Sequence, residues 1–319
     1  MATRVGREYD GQRERNRTDM PELPEVETSR KDLEEFFTGA SLTVCRILDR
    51  RIRIGDSCSS LPGDGWVGTG IGRHGKTLIL GFSKKGQGKE AGGPQEIGEV
   101  LFLLSRFGMS GGWRRIDTSR NPPHTHLEIR FSDRHSRLVW IDPRRFGRIE
   151  FTKSPDKSSL LSHVGPDTLS VSPDEFEEIV RNTSRSLRGA LMDQRLLAGI
   201  GNIYMAEILF RAGLSPFRKG RSLNRREARV LYSSLQSILR AAISEGGSTI
   251  HSFTREDGRN GGYQKLHLVY GREGQPCFQC GLPIQKVVLE SRSLYYCSFC
   301  QSPGKSTSRS ISRRDSLEN

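Results

Sequence analysis

The sequence predicts an α+β protein in three folded parts: a β-sandwich with one flanking helix, a helical region, and a small C-terminal module. Three observations carry that prediction. Up to about residue 152 the apolar residues fall in short runs broken by Gly and Pro, as in antiparallel sandwiches. Beyond Pro166 the apolar spacing changes to the three-to-four period of helices. Near the C-terminus two Cys-x2-Cys pairs stand sixteen residues apart.

Residues 1–20 alternate Arg with Asp, Glu and Gly and read as a disordered leader. A helix is expected over residues 24–37, with Val26, Leu33 and Phe37 on one face and Gly39 as its stop. Strands are expected at 42–54, 77–82, 100–106, 126–131, 137–141 and 146–151. Leu127, Ile129 and Phe131 show the alternation of a half-buried strand. Residues 84–99, rich in Gly, Lys and Glu, read as a mobile loop between strands.

Helices are then expected at 173–181, 186–197, 203–211 and 223–244. In the last, Leu231, Leu235, Ile238, Leu239 and Ala242 make an apolar stripe that belongs to the core, and Gly246-Gly247 ends it. Residues 247–262 are polar and Gly-rich, long enough for a functional loop. The Ser/Arg tail at 302–319 reads as disordered.

The formal charge is +13. Residues 1–20 hold five Arg against four acids, and residues 302–319 hold four basic residues against two acids. The segments between them therefore keep +10, the footprint of a nucleic-acid binder; the bland alternative is a basic protein kept soluble by its charge. The longest apolar run, Val100 to Leu104, is far too short for a membrane span. The N-terminus carries no secretory pattern, so a cytoplasmic location is expected, nucleoid-associated in a bacterium.

Cys277, Cys280, Cys297 and Cys300 have the spacing of two knuckles that present four thiolates tetrahedrally, which predicts one structural zinc ion. Four Cys leave no open coordination place, so the ion has no catalytic part. Cys45 and Cys58 lack partners at metal spacing, and Cys45 reads as core.

Three loops bear on chemistry. Gly199-Ile200-Gly201-Asn202, between two expected helices, is either a plain turn or a phosphate site whose glycines let the backbone approach. Asp142-Pro143-Arg144-Arg145-Phe146-Gly147 is either a turn with solvated Arg or a phosphate contact with an aromatic wedge for a duplex. Phe107-Gly108-Met109-Ser110-Gly111 offers an apolar Met, although Met is more often core filler.

The segment Met20-Pro21-Glu22-Leu23-Pro24-Glu25-Val26-Glu27-Thr28 resembles the mature N-terminus of the formamidopyrimidine-DNA glycosylases. The resemblance continues, in family order, through Gly75-Lys76, residues 107–111, 142–147 and 199–204, then 246–270 and the cysteine module. It covers residues 21–301. It implies a catalytic β-sandwich at 21–152, a helix-two-turn-helix DNA-binding part at 153–262 with a lesion-recognition loop at 247–262, and a zinc finger at 266–301.

By that resemblance, Pro21 is the nucleophile, whose α-amine attacks C1′ of the damaged nucleotide to form an iminium. Glu22 is the general acid/base and Lys76 contacts the DNA near the lesion. Met109, Arg144 and Phe146 fill the gap left by the flipped nucleotide, while Arg145, Asn202 and Arg292 contact phosphates. Glu25 and Glu27 remain open to the reading of first-turn helix charges. Arg106 stands where relatives often carry His, which bears on a substrate-side contact.

The expected protein is thus a monomeric base-excision repair enzyme acting on duplex DNA with oxidised purines, such as 8-oxoguanine and formamidopyrimidines. It would nick the abasic site by β,δ-elimination. An amine nucleophile needs a neutral fraction at pH 7, which an α-amine of pKa ~8 has. Within an uninterrupted chain Pro21 is an amide nitrogen and not nucleophilic. Translation from Met20 with removal of that Met is therefore expected, over proteolysis or a retained leader. The alternatives are an endonuclease VIII-like enzyme for oxidised pyrimidines, and a non-catalytic zinc-containing binder of damaged DNA.

Overall fold

Pro24 lies in the first turn of helix α1 (Leu23–Phe37), where a missing N–H costs nothing. Glu25 reaches back to accept the Glu22 N–H at 2.9 Å, which fixes the entry of the chain. Leu23, Val26, Leu33 and Phe37 are fully buried. Phe37 stands edge-on to Phe82 (5.2 Å between centroids) and Phe131 (6.4 Å), one from each of two sheets, so α1 closes one end of the sandwich. This computed structural model describes residues 20–52, 62–84, 98–248 and 261–302. The leader before Met20, Cys58, the central parts of the 84–99 and 247–262 segments, and the tail beyond Ser302 lie outside the described residues.

The strands of this half are β1 (Leu42–Ile47), β2 (Trp66–His74), β3 (Thr77–Lys84), β4 (Val100–Arg106), β5 (Gly112–Ile116), β6 (Thr125–Phe131), β7 (Arg137–Ile141) and β8 (Arg148–Thr152). They form two antiparallel four-stranded sheets, ordered β1-β6-β7-β5 and β2-β3-β4-β8. The sheets meet through Trp113, whose Nε1 donates to Ser105 Oγ at 3.0 Å. The α+β class and the sandwich agree with expectation.

Several boundaries do not. The strand expected at 42–54 stops at Ile47, because the N–H groups of Leu48 and Asp49 turn to the His126 carbonyl and a one-turn helix follows at Arg50–Ile52. β2 was hidden by Gly68, Gly70 and Gly72, which lower strand propensity. Gly68 is required, since a Cβ there would lie 2.3 Å from the Phe37 carbonyl oxygen. β5, two of its five residues Arg, was also missed. The strand expected from Phe146 begins at Arg148, leaving Phe146 in the preceding loop.

Beyond the sandwich come α2 (Pro173–Arg181), α3 (Leu187–Met192), α4 (Asn202–Arg211) and α5 (Arg225–Ser244). Ser172 and Ser186 cap α2 and α3 by accepting N–H groups of Glu175 and Gly189. Asn224 and Glu227 form a capping box on α5, whose expected stripe is buried throughout. The helix expected at 186–197 is only α3: Asp193 accepts the Arg195 N–H at 3.0 Å and the chain turns. Residues Ile203 to Phe210 of α4 are all buried, against α3, α5 and the C-terminal hairpin. That hairpin pairs β9 (Gln285–Leu289) with β10 (Arg292–Tyr296). Its two turn residues, Glu290 (φ 51°) and Ser291 (φ 62°), are both left-handed, the geometry that suits the twist of a tight hairpin. Among the described residues no helix is long and apolar enough to cross a membrane.

Candidate acid–base site and nucleic-acid interface

Glu22 precedes α1 yet its side chain caps a different helix. Its carboxylate accepts N–H groups of Gly201 (2.7 Å), Ile203 (2.9 Å) and Tyr204 (3.4 Å) at the start of α4. Within the protein the anion held by the N–H groups of this turn is thus Glu22 itself. The glycines serve the same end. A Cβ on Gly201 would lie 2.4 Å from Glu22 Oε1, and one on Gly199 (φ 114°) 2.4 Å from Leu23 Cδ1. The Leu23 N–H completes the seam by donating to the Gly199 carbonyl at 3.0 Å.

Pro21, immediately before Glu22, is buried, and Glu22 is almost fully so. Burial pushes the Glu22 carboxyl up, opposed by the charge of Lys76 and then by the three N–H groups. Desolvation pushes the Lys76 ammonium down, opposed by the charge of Glu22 and reinforced by Arg292 and Arg106. Glu22, Lys76 and Arg292 therefore belong to one electrostatic neighbourhood, with Pro21 next to Glu22 in the chain. Lys76 is placed by Gly75 (φ 55°), whose N–H donates to Asp167 at 2.6 Å and whose missing Cβ would meet Ala198 at 2.8 Å. Arg73 holds Asp167 and also Glu27 (2.9 Å), locking the turn to α1.

Glu25 and Tyr204 have a larger place than the sequence suggested. Glu25 is fully buried and accepts from Tyr204 Oη (2.6 Å), the Ser248 N–H (2.8 Å) and the Glu22 N–H (2.9 Å). It is more than a first-turn charge. The Glu-x-x-Glu spacing of Glu22 and Glu25 was the available signal. Tyr204 and Ser248 gave none, because their partners are 179 and 223 residues away.

The loops carrying Met109 and Phe146 are brought together. Buried Asp142 accepts from Ser110 Oγ and from the Gly147 N–H (2.6 Å), and Ser110 Oγ accepts the Arg144 N–H at 3.0 Å. Gly108 (φ 62°) permits this closeness; a Cβ there would sit 2.5 Å from the Phe146 backbone. Met109 is half-buried, whereas Phe146 is 52% exposed with the Arg144 guanidinium 5.2 Å from its ring centre. An exposed aromatic carrying its own cation is suited to stacking on a base. Arg145, left-handed at φ 56°, points to Asp49 at 3.1 Å. Arg106 donates to the Leu160 carbonyl.

The four cysteine Sγ atoms all lie within 4.8 Å of one another, a cluster able to hold a metal ion. The pairs Cys277–Cys300 and Cys280–Cys297 are 3.9 and 3.5 Å apart. A tetrahedral ion with metal–sulfur bonds of about 2.3 Å needs sulfurs about 3.8 Å apart, so the donor set fits. N–H groups of Gln279 and Cys300 point at Cys277 and Cys297 Sγ (both 3.4 Å), as thiolates require. Arg292 is exposed at the start of β10. Asn202 Nδ2 donates to the Ser293 carbonyl at 2.8 Å, so this side chain ties α4 to the hairpin, beyond the phosphate contact expected of it.

Comparison with known proteins places this arrangement. Residues 20–149 match the "Formamidopyrimidine-DNA glycosylase N-terminal domain" and residues 164–254 the "Formamidopyrimidine-DNA glycosylase H2TH domain". The formamidopyrimidine-DNA glycosylase of Thermus thermophilus is 38% identical over 295 residues, covering 89% of this chain and 100% of that protein. That of Syntrophotalea carbinolica is 36% identical, covering 88% and 100%. The crystal structure of the MutM (Fpg) protein from Thermus thermophilus superposes with a TM-score of 0.74 at 37% identity, covering 89% and 100%. Lactococcus lactis Fpg in complex with abasic-site DNA gives 0.74 at 31%, covering 88% and 100%. The chain belongs to the formamidopyrimidine-DNA glycosylase family and is an enzyme of that class.

Proposed function

We propose that this protein removes oxidised purines, 8-oxoguanine and formamidopyrimidines among them, from duplex DNA and nicks the abasic site by β,δ-elimination. The observation that carries this reading is the Glu22 carboxyl, buried beside Pro21, held by three N–H groups at the start of α4 and facing the charge of Lys76. The reactive form begins at Pro21, whose free amine adds to C1′. Glu22 protonates the opening sugar, the base departs, and the iminium serves as electron sink for both eliminations. The relatives support the substrate class: one Lactococcus lactis complex holds Fapy-dG DNA and another abasic-site DNA.

The four-cysteine module holds one structural zinc and aims Arg292 at the backbone, with Arg145 and Asn202 contacting further phosphates. Met109, Arg144 and Phe146 fill the space of the extruded nucleotide. In this reading residues 21–152 form the catalytic domain, 153–262 the DNA-binding domain and 266–301 the zinc finger. The protein acts as a cytoplasmic monomer.

Borohydride trapping on an abasic duplex, with protein beginning at Pro21, is the primary test. A covalent adduct that Pro21→Gly weakens is expected; absence of any adduct would identify a non-catalytic binder. Release from paired 8-oxoguanine and thymine-glycol duplexes then decides between purine and pyrimidine lesions.

A further inference from the structure

Among the described residues the groups that donate to buried Glu25 are all neutral: the Tyr204 hydroxyl and the N–H groups of Ser248 and Glu22. A carboxylate so placed is costly as an anion. Burial, and then the negative charge of Glu22, push its carboxyl up to about 7. The Tyr204 hydroxyl also lies 3.3 Å from Ser248 Oγ, which lies 3.1 Å from His267 Nε2. Each hydroxyl can donate and accept at once. Hydrogen bonds thus run unbroken from a buried carboxyl to a half-buried imidazole.

We propose that Glu25, Tyr204, Ser248 and His267 form a proton relay that moves charge between the His267 ring and the carboxyl beside Glu22. In one state His267 is an imidazolium and Glu25 a carboxylate. His267 Nε2–H donates to Ser248 Oγ, Ser248 donates to Tyr204, and Tyr204 donates to Glu25 Oε1. A concerted shift passes each proton one place: nitrogen to Ser248, Ser248 to Tyr204, Tyr204 to Glu25. One N–H and two O–H bonds break and three O–H bonds form. The products are a neutral imidazole and a neutral carboxylic acid, with both hydroxyls restored. No electrons are transferred.

Among the described residues, charged and titratable groups act on Glu25 from three places. Glu22 stands at the start of its own helix, Lys76 in the β2–β3 turn and Tyr204 on α4. His267 packs between Tyr263 and Tyr270, at 5.7 and 5.6 Å. The repulsion between Glu22 and Glu25 is mutual. A proton on Glu25 therefore lets Glu22 ionise, and its withdrawal to His267 raises the proton affinity of Glu22. This consequence rests on the acid–base role given to Glu22 above. A reaction that uses one carboxyl first as acid and then as base gains from a neighbour whose charge can be switched.

The test uses full chain beginning at Pro21. Ring 15N resonances of His267 are followed from about pH 5 to 9 in the wild type, Glu25→Gln, Tyr204→Phe and Ser248→Ala. Tyr204→Phe keeps the ring, and Ser248→Ala keeps the N–H on Glu25. Each variant should move the His267 titration midpoint by about half a pH unit or more. The pH–rate profile of single-turnover strand cleavage should lose the same limb in all three, with about a tenfold lower maximum. A His267 titration indifferent to Tyr204→Phe and Ser248→Ala would overturn the relay, as would a rate lowered equally at every pH. Coupled His267 titration in a protein that gives no trapped adduct would support the relay and refute the glycosylase mechanism.

Discussion

Glu22 and Gly201 are 179 residues apart in sequence, yet the Gly201 N–H donates to the Glu22 carboxylate at 2.7 Å. The contact places a carboxyl at the positive end of α4, with Pro21 next to it in the chain. Burial disfavours the anion while the charge of Lys76 and the helix N-terminus favour it, so Glu22 is held between opposing influences, which suits the acid–base role proposed for it.

Glu22→Gln therefore separates chemistry from binding. The amide is nearly the same size but cannot exchange a proton. Base excision and strand cleavage should fall by about a hundredfold or more, with affinity for an abasic-analogue duplex little changed. Single-turnover kinetics beside a binding titration give both numbers, and near-wild-type cleavage would remove Glu22 from the mechanism.

Gly201→Ala tests the steric half of the contact. The backbone there is extended (φ −129°), which any residue adopts, so the penalty is the clash with Glu22 alone. A loss of about 1–3 kcal/mol in urea unfolding is expected, together with impaired cleavage. Unchanged stability and activity would mean that the seam yields freely.

Glu25 makes stability depend on pH. Its carboxyl is raised to about 7 in the folded protein from an ordinary value of 4.5, so folding takes up a proton between those values. The associated stabilisation is present below about pH 4.5 and is lost as pH rises through 7. Glu25→Gln should flatten this dependence, its stability relative to wild type improving by on the order of 2 kcal/mol from pH 5 to pH 8. Denaturant titrations at the two pH values measure it; parallel curves would contradict the assignment.

Phe146→Ala should be silent in unfolding, within about 0.5 kcal/mol, because the ring is already half in solvent. Excision from duplex should nevertheless fall about tenfold if, as proposed, the ring offsets lost base stacking. Unfolding curves and excision assays on the same preparations are the check, and wild-type excision would return Phe146 to the status of a surface residue.

Native mass spectrometry should find one zinc per chain, and Cys280→Ser should abolish duplex binding. Tight binding by a metal-free protein would show the module to be dispensable.

Much of this architecture was legible from local pattern. The cysteine spacing and the α5 stripe each lie within a few dozen residues, and both are present as expected. β6 is a strand as expected, but His126 and Glu128 on its expected solvent face are buried, Glu128 against Arg137, so it is not half-buried. What escaped was written in tertiary terms. The glycines of β2 read as breakers because their reason, Phe37, lies on another element. The Gly199–Asn202 turn looked like a phosphate cradle because backbone N–H groups do not reveal which anion they hold. Glu25 looked like a helix-start charge because Tyr204 and Ser248 meet it only after folding.

Asn202 closes the circuit between the two ends of the sequence. It opens α4, adjoins the Gly201 N–H that holds Glu22, and grips Ser293 in the cysteine hairpin. Gln301, meanwhile, joins the Cys297 N–H to the Leu214 carbonyl. The cysteine module and the Glu22 carboxyl are thus tied to the start of the same helix. Transplanting either into another scaffold would mean carrying α4 along with it.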